Sequence, residues 1–308
     1  MSSDTRALPP VSVVVPTHDR PDLLARALER ILGQRYDGPI ECLVVFDQRE
    51  PEMPDVIVPK GRTLEVMANT RTPGLAGARN TGCAAAAGQL LAFCDDDDEW
   101  HPDKLRLQVE ALIASPGSPV ATCGIEIVYQ GRVFERLPAA TTIRREDLLS
   151  SRNMQVHSST LLIRRSAYEG ALGPVDEMIP GSYGEDYDYV LRATQLGPIV
   201  AVGHPLVRVH WLGSYYADRW PMIVSAIRYH LDKHPELAVD PRNAARMYGR
   251  MAFAHAASGE GRQARHWARR SIARDPRQPR GYVAYAVSWR LVPAQAVVRW
   301  ANARGRGV

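Results

Sequence analysis

The chain has 308 residues, 45% hydrophobic and 23% charged, and its 38 Lys/Arg against 34 Asp/Glu leave a formal charge of +4. That balance excludes wholesale disorder, a collagen-like repeat and a small disulfide scaffold. The length suggests roughly two domains, because single cores seldom keep growing past about 250 residues. The charge is unevenly spread. Residues 1–215 hold 21 Lys/Arg against 28 Asp/Glu, net −7, and residues 216–308 hold 17 against 6, net +11. A boundary near residue 215 is therefore expected, with an N-terminal tail over 1–10, an acidic unit over 11–215 and a basic unit over 216–308. No window approaches the roughly 18 uninterrupted apolar residues of a membrane span; the best, Tyr282 to Trp300, is broken by Arg290, Pro293 and Arg299. The first ten residues lack a basic-then-apolar leader pattern, so a cytoplasmic location is the expectation. Cys42, Cys83, Cys94 and Cys123 show no metal-type spacing and read as buried free thiols.

In chain order, Val11–Pro16 is a β-branched apolar run that reads as a buried parallel strand. After Asp19-Arg20-Pro21, residues Leu23, Leu24, Ala27, Leu28, Ile31 and Leu32 form one helical face. Glu41–Phe46 is a second strand ending at Asp47, and Leu64–Asn69 a weaker third. Residues 75–87 of the small-residue run Gly74–Gly88 are expected to be helical, Gln89–Cys94 extended, and Pro102–Ser115 helical. This β-α-β-α order indicates an open α/β sheet with ligands at the carboxyl ends of its strands. Further on, Val120–Val128 and Arg132–Leu137 flank a Gln130-Gly131 hairpin turn; Val156–Ile163, Ile199–Val202 and Leu206–His210 read as strands, and Gly184–Leu196 as a helix. From Pro221 onward the chain is rich in Ala and Arg and lacks strand patterns. Ala252, Gly259, Ala264 and Pro276 fall at the spacing of a tetratricopeptide repeat. One such unit is too few for a free-standing solenoid, so the helices are expected to pack on the first unit.

Asp95-Asp96-Asp97-Asp98-Glu99 follows directly on the strand ending at Cys94. Adjacent carboxylates repel, and a strand end in an α/β sheet is a poor place for uncompensated charge. A hard divalent cation relieves both, so Mg²⁺ or Mn²⁺ bridging to a substrate phosphate is the functional reading; a solvated acidic turn is the alternative. The spacing is not that of an EF-hand. A second group, Glu185-Asp186-Tyr187-Asp188, opens a helix; its carboxylates either cap the helix or supply a base that takes a proton from an acceptor hydroxyl. His210 ends a strand and is a candidate metal or phosphate ligand, with His157 a weaker one.

Taken together, Val13 to Arg20, Glu41 to Asp47, Gly74 to Gly82, Phe93 to Trp100, Pro102 to Leu105 and Gly184 to Asp188 resemble the ordered motifs of family 2 glycosyltransferases. The resemblance covers residues 10–215. It implies a GT-A fold, an α/β architecture with a mixed Rossmann-like sheet, here followed by a small all-α region. It also implies a nucleotide-sugar donor, a divalent metal and inversion at the anomeric carbon. Carried over, Pro16, Thr17, Arg20 and Asp47 would line the base and ribose pocket, with Gly74 and Arg79 nearby. Asp95 and Asp96 would approach the ribose, and Asp97 would hold Mn²⁺ or Mg²⁺ at the diphosphate. Asp186 would be the general base, positioned by Glu185 or Asp188, and His210 a further metal or phosphate ligand. The chain departs from the family pattern at the end of its second strand, where Phe46 precedes a single Asp47 in place of paired aspartates. UDP is the first expectation, with GDP and dTDP open.

The expected acceptor is a hydroxyl of a glycan, a lipid-linked sugar or a natural product. Two other readings stand beside this one. A nucleotidyl or phosphoryl transferase would use the same acidic run, but no G-x-x-x-x-G-K-[ST] or G-x-G-x-x-G loop is present. A basic scaffold or nucleic-acid binder would use Arg262, Arg265, Arg269, Arg270 and Arg274 on one helical side. Nucleic acid is the less favoured partner, since such faces are often only solvated. Peripheral contact of the basic region with the inner face of a membrane is a further expectation.

Overall fold

The structure is a computed structural model and describes residues 7–150, 156–211 and 219–304. The expected boundary at residue 215 and part of the N-terminal tail lie outside them.

Strand β1 (Val11–Thr17) is buried along its whole length, as its unbroken apolar run requires of a strand covered on both faces. Helix α1 (Pro21–Leu32) starts with Pro at its first turn and buries Leu24, Leu28, Ile31 and Leu32. Strands β2 (Ile40–Phe46) and β3 (Arg62–Ala68) extend the sheet in parallel beyond β1. Helix α2 (Leu75–Ala85) returns the chain to β4 (Leu90–Phe93), parallel to β1 on its other side. The small residues of α2 are there for close approach. A Cβ on Gly82 would lie 2.4 Å from Val14 Cγ1, and one on Gly77 only 1.9 Å from the Thr72 carbonyl oxygen.

The acidic run itself contains strand β5 (Asp98–Trp100), an element not expected from its sequence. Then come α3 (Lys104–Ala114), the hairpin β6 (Val120–Tyr129) and β7 (Arg132–Arg136), β8 (Thr142–Ile143) and α4 (Arg145–Ser150). After these follow β9 (Leu162–Arg164), the single turn α5 (Arg165–Ala167), α6 (Glu185–Leu196) and β10 (Ile199–His210). Two expectations change here. Val156–Ile163 is not one strand, because Ser158–Thr160 form a 3-10 turn held by Thr160 Oγ1 donating to the His157 carbonyl at 2.6 Å. Ile199–Val202 and Leu206–His210 are one strand, carried past Pro205 by shifts of register against β6. Ten strands join, in the order β3-β2-β1-β4-β9-β6-β10-β5, with β7 on β6 and β8 on β10. β4–β9, β6–β9 and β5–β10 are antiparallel, so the sheet is mixed.

The alternation of β1 feeds two cores. Val11, Val13 and Val15 join α1 and α3, whereas Val14 faces α2 and α6. The C-terminal helices α7 (Trp220–Lys233), α8 (Pro241–Ala257), α9 (Gly261–Arg274), α10 (Pro279–Ser288) and α11 (Ala294–Asn302) follow. Ile223, Ile227, Met247 and Met251 from α7 and α8 lie in the same core as Val14 and Phe93. The helices therefore pack on the sheet-bearing part, as expected of too short a repeat. Ala252, Ala264, Ala268 and Ala284 build a smaller core between α8, α9 and α10, with Gly259 at φ +80° in the turn. Several arginines of α9 stack on aromatic rings: Arg265 on Trp289 at 4.5 Å and Arg270 on Trp267 at 4.7 Å. All four cysteines are buried and free.

Candidate active site

At the carboxyl end of β1, Thr17 Oγ1 donates to Asp96 Oδ2 at 2.7 Å. Arg20 reaches across the same end, 2.7 Å from both Asp96 and Asp97. Burial lifts Asp96 to about 6 despite Arg20 and Thr17, which favour its charged form. Pro16 is buried in register with Val45 of β2. Beyond β2, Asp47 accepts from Asn69 Nδ2 at 2.8 Å and the Gly74 amide at 3.0 Å. Burial raises this carboxyl, but the bonds from Asn69, Gln48 and Gly74 outweigh it and hold the group below the usual range. Gly74 stands at φ +116°, where a side chain would be strained, so the loop entering α2 needs glycine there.

Asp95 is tied down by Arg79 Nη2 at 2.6 Å and by the Ser158 hydroxyl at 3.0 Å. Arg79 is only 1% exposed, and its other nitrogen donates to Glu185. It therefore lies buried between the acidic run and α6 and presents almost no surface to a ligand. Asp98 is buried, accepts from Ser159 Oγ at 2.5 Å and is lifted to about 8 by burial, with His157 opposing. His157 Nδ1 lies 3.5 Å from Asp98 and Nε2 4.0 Å from Asp95. Burial disfavours its charge, yet Asp98, Asp95 and Asp186 outweigh this and raise it. A buried layer supports the cluster: Trp100 Nε1 donates to the Ser159 carbonyl at 3.1 Å, and Lys104 Nζ stands 3.8 Å over the Trp100 ring.

Asp95, Asp98 and His157 bring ligand atoms within 4.8 Å of one another, and this oxygen-rich donor set suits a hard divalent cation. Asp97, at 32%, has the more exposed side chain, against 17% for Asp95 and 2% for Asp98. Asp186 is half-buried at the start of α6, close enough to His157 to raise it. Glu185 bonds to Arg79, and burial raises its carboxyl against that pairing. His210 lies on β10 with Nε2 2.9 Å from Glu99, paired across to β5 and outside the Asp95, Asp98 and His157 cluster. Asp98 and the nearness of His157 to the acidic run were not assigned from sequence. The run Val156-His157-Ser158-Ser159-Thr160 carries polar ligating types, but only the pairing of β9 with β4 brings it there.

A mixed α/β sheet with acidic groups gathered at the carboxyl ends of its central strands is the arrangement of a GT-A fold. The chain belongs to glycosyl transferase family 2, whose family model matches residues 12–170, and it is a glycosyltransferase. It is 26% identical over 212 residues to glycosyltransferase AglE of Haloferax volcanii, covering 67% of this chain and 68% of AglE. In fold it matches S. aureus TarS 1-349, solved in complex with UDP, with a TM-score of 0.59 at 17% identity over 91% of each chain. The mannosyltransferase PcManGT of Pyrobaculum calidifontis, solved with GDP-Man and Mn²⁺, matches with a TM-score of 0.57 at 19% identity, covering 95% of this chain and 84% of that one.

Proposed function

We propose that this chain is an inverting, metal-dependent transferase that moves a sugar from a UDP-sugar to a hydroxyl of a glycan or lipid-linked acceptor. One observation carries the reading. The buried guanidinium of Arg79 joins Asp95 of the acidic run to Glu185, beside Asp186, so donor-side and acceptor-side carboxylates converge on one place. The UDP and GDP-Man bound by the two structural neighbours support the donor class.

Asp97, whose side chain is more exposed than those of Asp95 and Asp98, would hold the cation, because a metal shared with substrate phosphate needs an accessible oxygen; Asp95, Asp98 and His157 would supply the neighbouring ligand atoms. When bound there, a divalent cation would neutralise the charge that develops on the departing diphosphate. Thr17, Arg20 and Asp47 border the nucleoside, with Asp47 also fixing the Gly74 loop. Asp186 takes the proton of the attacking hydroxyl, worth about 10²–10⁴-fold. Attack in line with the leaving group inverts C1 in one step. A protonated carboxylic acid is not needed, since a diphosphate leaves as an anion.

The same proposal includes contact with an anionic membrane surface. Trp289 and Trp300 are each 56% exposed and Leu291 75%, with Arg265 and Arg304 stacked on the two indoles. No helix among the described residues is long and apolar enough to cross a membrane. Absence of salt-sensitive co-sedimentation with anionic vesicles would remove this contact.

Thermal stabilisation by UDP-, GDP- and dTDP-sugars, with and without Mn²⁺, tests the central reading. The expected result is the largest shift with a UDP-sugar plus Mn²⁺, and release of nucleoside diphosphate on turnover. Release of pyrophosphate would overturn it.

A further inference from the structure

The segment that presents Asp186 is irregular. Between Asp176 and α6 it passes Gly181 at φ +61°, Ser182 at φ +54° and Gly184 at φ +83° before the helix begins at Glu185. A turn of this kind takes its position from what packs against it, and here the packing comes from the basic C-terminal helices. Lys233, the last residue of α7, places Nζ 2.5 Å from Asp176 Oδ2 and 2.7 Å from Asp188 Oδ1. One ammonium thus joins a carboxylate before the turn to a carboxylate in the first turn of α6. Asp188 is fully buried; His234 Nε2 lies 2.8 Å from its Oδ1, and Arg192 Nε donates to its Oδ2 at 2.9 Å. Tyr229 Oη donates to Asp176 at 2.8 Å.

The middle of the turn is held by the same helices. His230 Nε2 lies 3.0 Å from the Tyr183 carbonyl, and Arg250 of α8 donates to the Tyr183 hydroxyl at 2.5 Å. A Cβ on Gly181 would stand 2.6 Å from Met222 Sδ.

We propose that Lys233 is a positioning residue for sugar transfer. Its ammonium clasps Asp176 to Asp188 and so closes the two ends of the segment that presents Asp186, which makes the C-terminal helices part of the acceptor half of the site. The proposal rests on Asp186 as the base. Without the ammonium, two carboxylates share a small space with one cation fewer, and their repulsion drives the ends apart. Displacements of about 1 Å at a reacting group cost on the order of 10²-fold in rate.

The test compares Lys233→Met, Lys233→Arg and Asp176→Asn in the full chain. Turnover is read as nucleoside diphosphate release from the nucleotide sugar that stabilises the protein most, binding is read with UDP and Mn²⁺, and hydrogen exchange is followed over residues 176–188. Lys233→Met is expected to lower kcat about 10–100-fold, leave UDP affinity and donor KM unchanged, and speed exchange over 176–188; Lys233→Arg restores most of kcat. Asp176→Asn, which keeps the Lys233–Asp188 pair, gives a smaller loss of kcat and remains informative if Lys233→Met does not fold. Wild-type kcat in both Lys233→Met and Asp176→Asn overturns the proposal. So does a loss of UDP binding in step with kcat that arginine does not rescue, since that marks general destabilisation. Asp186→Asn run alongside separates the two readings: retained turnover there removes the base assignment itself, whereas the clasp fails when Asp186→Asn is inactive and Lys233→Met is unaffected.

Discussion

Arg79 Nη2 lies 2.6 Å from Asp95 Oδ1, and the guanidinium that makes this bond is 1% exposed. It stands over the Phe93 ring at 5.5 Å and donates with its other nitrogen to Glu185. Arg79 in α2 is thus the joint between the acidic run and α6.

Arg79→Met would leave the buried Glu185 and the partly buried Asp95 without the guanidinium they share. Removing one partner of a buried ion pair costs about 3–5 kcal/mol, so chemical denaturation should show a loss of that size. Glu185→Gln, which removes one carboxylate and keeps Arg79 on Asp95, should cost less.

The carboxylates proposed as base and as metal ligand should separate by phenotype. Asp186→Asn should reduce transfer about 10²–10⁴-fold while UDP binding stays nearly intact by calorimetry. Asp97→Ala should instead abolish the Mn²⁺-dependent part of UDP binding. If His157→Ala and Asp95→Asn lose that part and Asp97→Ala keeps it, the cation belongs to the Asp95, Asp98 and His157 cluster.

Gly77→Ala should disturb, through the backbone, the loop that is proposed to border the nucleoside. The added methyl would meet the Thr72 carbonyl oxygen at 1.9 Å, and neither atom can swing away as a flexible side chain could. Overpacking of this kind costs about 1–3 kcal/mol. Lower thermal stability together with weaker UDP binding is expected, because the Thr72 loop runs into Gly74 and its bond to Asp47.

Asp188 predicts a pH dependence. Burial works against its charge, but His234, Lys233 and Arg192 outweigh burial and hold the carboxyl well below the usual range. A group depressed in the folded state contributes stability that is fully present above its unfolded value, about 3.9, and is lost as pH falls through the folded value. The stability gap between the wild type and Asp188→Asn should therefore be constant from pH 7 to about 5 and shrink below about 4. A gap that persists unchanged down to pH 2 in urea titrations would contradict this.

Much of the first half of the fold was legible in the sequence. Val11–Pro16, the helical face from Leu23 to Leu32 and the strand before Asp95 are local patterns, and each formed the expected element. The small residues of Gly74–Gly88 were legible as a helix but not as a close contact, which depends on Val14 and Thr72 lying beneath it. His210 has the right residue type at a strand end, yet β10 sets it beside β5, where Glu99 is its partner. His157, the weaker candidate from sequence, is the one that joins Asp95 and Asp98, through the antiparallel pairing of β4 with β9. The break in the expected strand around it came from hydroxyls of Ser158–Thr160 that bond locally and to Asp95 and Asp98.

The sequence by itself determined the α/β class, the family motifs and the opposite charge of the two parts, because apolar runs, glycine positions and charge counts are properties of neighbours along the chain. Only the tertiary structure decided which carboxylates are neutralised and by what. Asp95 meets Arg79 and Asp188 meets Lys233 across 16 and 45 positions of chain. Whether a charge is buried and paired depends on what stands within a few ångströms of it, and that is fixed by strand pairing and helix packing across the whole chain. The basic C-terminal part, which composition marked only as different, supplies through Lys233, His234 and Arg250 the contacts that hold the acidic segment in place.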